Sequence, residues 1–152
     1  MKKIIFCFGI LLFAVSCSNS QATSDEASKM KNFEILYQSE YGGIGVEKTE
    51  IYTEAETFAK MWNETINVYS ESAEIPTVDF DKKMVIAKHF QSQNSGGTEY
   101  EIQSVNQTGN KTEVLYIATP PDGMATMAIT NPLMILVVNK VQSPMVEFKA
   151  QK

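Results

Sequence analysis

The residues able to do chemistry are few. Of 152 residues, His89 is the only histidine, and Cys7 and Cys17 are the only cysteines. A single histidine offers one general base but no multi-histidine metal set, and a Ser-His-Asp triad would have to be built around it alone. His89 lies in the run "MVIAKHF", where alternation places it on the side of Val85 and Ala87. It reads as a half-buried strand residue. Carboxylates are more plentiful. Asp79 and Asp81 flank Phe80, and Glu99 and Glu101 flank Tyr100. In a strand each pair would share a face, which suits calcium or paired acid–base work. Neither pair carries the further oxygen ligands of an EF-hand loop, and solvated strand faces account for both. No catalytic, metal or cofactor constellation emerges, so the expectation is a non-enzyme without a cofactor.

Cys17 is the exception, because its chemistry is set by what precedes it. Lys2 and Lys3 form a charged start, and Ile4 to Val15 form an apolar stretch too short to span a bilayer as a helix. The stretch ends in "AVSC", which resembles the lipobox of bacterial lipoproteins, with Ala14 where leucine is commoner. The resemblance implies thioether lipidation of Cys17 and cleavage before it, so residues 1–16 are a signal peptide. Two or three acyl chains would then hold the protein at a membrane without a spanning helix. Ser18 and Asn19 follow Cys17 with no Asp between, which by resemblance to Gram-negative sorting favours the outer membrane. Cys7 leaves with the signal, so the folded part contains no thiol and no disulfide.

Loss of residues 1–16 leaves eleven lysines against eighteen Asp and Glu, a net charge of −7, and the chain has no arginine at all. An acidic body lacking the guanidinium fork that reads phosphate and guanine is a poor nucleic-acid binder. Residues 17–31, the lipidated Cys17 and the polar "SNSQATSDEASKMK", read as a flexible tether. Residues 32–152 suit one domain with one core.

The elements that must position any site are mainly strands. "FEILYQS" puts Phe33, Ile35 and Tyr37 on one face, and Gly42, Gly43 and Gly45 form turns before a strand near Val46 to Tyr52. One helix follows. Thr53 and Glu56 have capping-box spacing, and Ala55, Phe58, Ala59, Trp62 and Ile66 fall on one stripe, with Trp62 as a core anchor. Strands are expected at Met84 to Phe90, Thr98 to Val105 and Thr112 to Thr119, the last two joined by a Gly109-Asn110 hairpin. "LMILVVNK" is a nearly continuous apolar strand, and "VEFKA" is a final edge strand. About seven strands and one packed amphipathic helix with short links imply a mainly β (α+β) fold: antiparallel strands in a sandwich or half-open barrel.

Two connections are longer or more polar than a turn requires. Asn94-Ser95-Gly96-Gly97 lies between strands, and no helix start follows to make a phosphate cradle. "TPPDGMATMAIT" combines stiff Pro120, Pro121 and Gly123 with adaptable Met124 and Met127. The methionines serve either the core or a surface contact.

From about Phe33 to Phe148 the chain resembles the C-terminal domain of the protease complex subunit PrcB family. The resemblance rests on "FAKMWN" ending the helix, "PTVDFDKKMVIAKHF", the glycine pair before a strand, and "GMATMAITNPLMILVV", in that order. The family signature Thr-Gly-Gly-Tyr reads here Ser95-Gly96-Gly97-Thr98, with the tyrosine two places later at Tyr100. The resemblance implies a lipid-anchored, non-catalytic accessory domain whose partner is a secreted or surface protease.

The expected contact surface is therefore Asn94, Ser95, Gly96, Gly97, Thr98 and Tyr100 together with Pro120, Pro121, Met124 and Met127. Tyr100 would be its large anchor and the glycines would permit close backbone approach. A protease inhibitor, or a small-ligand-binding or structural domain of the envelope, shares these features, and the sequence does not separate them.

Overall fold

The computed structural model describes residues 32–68, 73–123 and 127–151. Its elements run β1 (Phe33–Ser39), β2 (Lys48–Tyr52), α1 (Ala55–Thr65), β3 (Lys83–His89), β4 (Glu99–Thr108), β5 (Lys111–Thr119), β6 (Leu133–Asn139) and β7 (Met145–Gln151). A four-stranded sheet has the order β1-β6-β3-β2, and a three-stranded sheet has the order β4-β5-β7. The result is a sandwich with α1 packed outside the larger sheet, so the layers are helix, four strands, three strands.

That layering explains the sequence runs. β3 and β6 are central in the larger sheet and are covered on both faces, hence their unbroken apolar character. Val85, Ala87, Leu133, Ile135 and Val137 face α1 and meet Phe58, Met61, Trp62 and Ile66. Met84, Ile86, Met134, Leu136 and Val138 face the smaller sheet and meet Ile102, Val105 and Val114. The smaller sheet has one open face, so β4 alternates between exposed and inward residues.

The strands are not all antiparallel: β7 pairs parallel to β5. The cause is where the chain leaves the larger sheet. β6 ends beside the start of β3, with Lys140 N–H bonded to Lys82 O, and Met145 N–H then bonds Asn110 O at the turn before β5. β7 starts where β5 starts and runs the same way. As an edge strand it carries charges on its ladder, with Lys111–Glu147 at 2.7 Å and Lys149 paired to Glu113.

Three local expectations need correction. A bulge at Leu36 breaks the period of β1, so Phe33 packs between the sheets, Leu36 and Tyr37 pack toward α1, and Ile35 is exposed. The helix begins one residue later than the capping box requires: Glu54 is the N-cap, with no side-chain cap bond. Glu56 therefore falls short of the third helical position, though it still complements the first-turn dipole. Ala55 is exposed, and Met61 takes the place in the buried stripe that Ala55 was expected to hold. Asp79 and Asp81 lie in the turn before β3, with Asp79 pairing Lys82 at 3.0 Å. The Gly109-Asn110 hairpin is as expected, with positive φ (61°) at the glycine alone, the pattern of a type II′ turn.

Strand direction gives the sandwich two ends. β1, β3, β5 and β7 run toward one end, where residues 40–47, 90–98 and 120–132 connect the strands. Asn32, which begins the described chain, lies at the other end with residues 80–82 and 139–144.

Candidate functional site

The loop end is built by hydrogen bonds between segments far apart in sequence. Asn131 N–H donates to Glu40 O (2.9 Å), and Gly43 N–H donates to Asn131 O (2.8 Å). Ser92 N–H donates to Gly45 O (3.1 Å), and Gln93 and Thr130 exchange both backbone bonds (2.9 and 3.0 Å). The Ser92 hydroxyl adds a bond to Asn131 Oδ1 (2.7 Å). Segments 40–45, 92–93 and 130–131 thus form one platform fixed by main-chain bonds, which is unusual rigidity for loops.

This platform carries large apolar side chains in the open. Tyr41, Ile44 and Val46 are about half exposed, Ile129 is 72 % exposed, and Met127 is fully exposed. Scattered surface apolar residues are ordinary, but five on adjoining segments at one end of a small domain are the composition of a contact surface.

Beside the platform lies a cleft of about 260 Å³ between the end of β1 and the start of β4. Phe90 and Tyr100 give it an apolar wall, Glu40 turns its carboxylate to the Gly97 N–H beside it, and Glu99 lies at its edge. Tyr100 stacks on Phe90 with ring centroids 3.9 Å apart, and Tyr116 meets Phe90 edge-on at 5.5 Å. Burial pushes the Tyr100 hydroxyl's pKa above its ordinary value, with a further push from Tyr116. Glu40 accepts the Gly97 N–H, which ties the two sheets together at this end.

The residues singled out from sequence divide accordingly. Gly97, Thr98 and Tyr100 line the cleft, and Pro121 packs on Gly97, whose φ of +91° requires glycine. Ser95 joins the platform through its carbonyl, which accepts the Thr130 hydroxyl at 3.4 Å. Gly96 is buried, Asn94 and Pro120 are exposed, and Met127 projects into solvent instead of entering the core. Met124 lies outside the described residues, as do Cys17, the signal segment and the tether. Tyr100 faces inward, so its ring shapes the cleft wall rather than standing out as an anchor. The protruding side chains are those of Tyr41, Ile44, Val46 and Ile129, which sequence reasoning missed. Their signal was available: "YGGIGVE" interleaves apolar residues with glycines, more than turn formation needs.

His89 was the other candidate for chemistry. It is 1 % exposed, not half-buried, on the face turned toward α1. Its Nε2 lies 3.1 Å from Glu50 Oε2, an oxygen that also accepts the Tyr52 hydroxyl (3.1 Å), while Lys48 Nζ reaches Glu50 Oε1 (2.7 Å). Nε2–H therefore donates, and Nδ1 is buried with no hydrogen-bond partner among the described residues. Burial acts to raise the Glu50 pKa, but the bonds from Lys48, His89 and Tyr52 outweigh it and hold the carboxyl below its ordinary 4.5. A depressed carboxyl stabilises the fold above its unfolded pKa, and that contribution is lost as pH falls through the folded value. Wild type should therefore exceed Glu50→Gln in urea-unfolding stability near neutral pH. The margin should close as pH drops below 4.5.

Lys88 carries a buried charge. Its side chain is 5 % exposed and pairs with Glu47 at 2.5 Å, while its ammonium lies 5.2 Å from the Phe148 ring centre and 5.7 Å from that of Phe90. Removing one partner strands the other, whereas replacing the buried ion by a hydrophobe of similar shape does not. Glu47→Ala should therefore cost about 1–2 kcal/mol by chemical unfolding. Lys88→Met should leave stability within about 1 kcal/mol of wild type or raise it.

No family model matches the chain, and no curated protein or solved structure matches it either.

Proposed function

We propose that the protein is a lipid-anchored, non-catalytic accessory module that binds or stabilises a secreted or surface protease. In this reading Cys17 carries the anchor at the outer membrane, and the platform formed by residues 40–47, 91–98 and 127–132 is the contact surface. The observation carrying the reading is that platform: loops held rigid by long-range backbone bonds, with Tyr41, Ile44, Val46, Met127 and Ile129 offered to solvent. Preordered loops lose little entropy on binding, which favours recognition by surface contact.

Geometry adds support. Asn32 is at the opposite end from the platform, so a tether entering there would direct the platform away from the membrane. The partner class comes from the resemblance to the PrcB C-terminal domain, and its test must identify the partner.

A photo-crosslinking residue placed at Ile44 or Met127 of the full chain in intact cells should give one dominant adduct, identified by mass spectrometry as a protease. The same residue at Lys83, at the far end, should give none. Equal labelling from both ends, or a dominant partner that is not a protease, would refute the reading. Adding the purified domain to the captured protease then separates accessory subunit from inhibitor, since only the inhibitor abolishes turnover.

A further inference from the structure

We infer that the loop end recognises a cationic partner segment, which lays apolar residues on the platform and places a lysine or arginine side chain in the adjacent cleft. This rests on the protein-binding reading above and specifies the chemistry of the partner.

The first argument is the distribution of charge. Segments 39–47, 89–110 and 112–139 contain no lysine, and the chain has no arginine. Among the described residues, the charges presented at the loop end are carboxylates, namely Glu40, Glu99, Glu101 and Asp122, together with Glu47. Lys48 and Lys88 are the nearest cations among the described residues, and each is already paired, with Glu50 at 2.7 Å and Glu47 at 2.5 Å. The far end is different: Lys82, Lys83, Lys111 and Lys140 are mixed there with Glu34, Glu54, Asp79, Asp81 and Glu147. The field of the domain thus selects for positive partners at the platform and not at the opposite end.

The second argument is the cleft. Its apolar wall of Phe90 and Tyr100 matches a hydrocarbon stem, and Glu40 and Glu99 place negative charge beside it. Lysine and arginine have that division between stem and head, and an aromatic wall adds attraction for the cation. Glu99 is exposed and makes no ion pair among the described residues, so it is available. Glu40 uses Oε1 to hold Gly97 N–H, which fixes its carboxylate at the cleft. The third argument is proximity. Glu40 adjoins Tyr41 and its carbonyl is bonded to Asn131, so the cleft and apolar platform are parts of one surface.

The test uses the full chain in cells, with the crosslinker at Ile44. Glu99→Lys should reduce the partner adduct about tenfold or more, because like charges then meet at the interface. Glu34→Lys, the same charge change on β1 outside the cleft, should leave the adduct unchanged. Glu40→Gln keeps an oxygen for Gly97 N–H and should give an intermediate loss. Thermal melts of each variant exclude unfolding as the cause. Mapping of the adduct should place it within a few residues of a partner lysine or arginine. If the adduct persists in Glu99→Lys, or maps to a segment without a cation, the cationic inference fails while the protein-binding reading stands. If the parent chain gives no adduct from Ile44 or Met127, the protein-binding reading fails and this inference falls with it.

Discussion

Trp62→Ala should destabilise the domain by about 3–5 kcal/mol and lower its melting temperature by roughly 10–25 °C. Trp62 is 3 % exposed and joins α1 to the larger sheet. Its ring meets Tyr37 at 5.9 Å and Phe58 at 5.7 Å, both edge-on, and its Nε1–H donates to Ala73 O at 3.2 Å. Alanine removes the ring, leaves a cavity, and leaves the Ala73 carbonyl without that donor. Since whole domains are stable by only about 5–15 kcal/mol, one substitution removes a large fraction. Trp62→Phe refills most of the space and should lose only about 1–2 kcal/mol, mainly the hydrogen bond. Equilibrium unfolding in urea measures both. A loss under about 1 kcal/mol for Trp62→Ala would mean that α1 is not docked through this side chain.

Gly43→Ala should have the next largest effect, and it acts on the site as well as on stability. A Cβ at Gly43 would lie 2.7 Å from both Asn131 O and Pro132 O. Both obstacles are backbone, so no side-chain rotation relieves them. Either the 40–47 segment moves away and the Gly43–Asn131 bond breaks, or the turn into β6 shifts. The expected cost is about 1–3 kcal/mol, as for other overpacked positions. Amide exchange should rise at Gly43 and Thr130 while the amides of β3 and β6 stay protected. Capture through Ile44 should fall in the same variant. Unchanged exchange at Gly43 would show that the platform is not held by this contact.

How far these features were legible follows from their physical origin. The sandwich and its central strands could be read because double-sided burial writes itself as continuous apolar runs, in "MVIAKHF" and "LMILVV". The Gly109-Asn110 turn was legible because its dihedral demand is local. The bulge at Leu36 was not, since one extra residue moves Tyr37 to the other face without altering composition. A second bulge, between Ile102 and Ser104, likewise lets both Ile102 and Val105 face inward although they are three apart. The platform was half legible. Its glycine and proline loops were singled out individually, but the bonds joining Gly43 to Asn131 and Ser92 to Gly45 are tertiary and leave no local pattern. The full enclosure of His89 also arises from tertiary packing, with β2 supplying Glu50 from 39 residues away.

The parallel pairing of β7 has a consequence for the order of assembly. Before residues 145–151 are free to pair, the smaller sheet consists of β4 and β5 alone, a hairpin of the kind that is marginal in water. Phe148, which closes the space between the sheets beside Tyr116, is among the last side chains to arrive. The sandwich is therefore completed only after synthesis has passed β7, so a chain cut short before residue 145 would lack the strand that closes its smaller sheet.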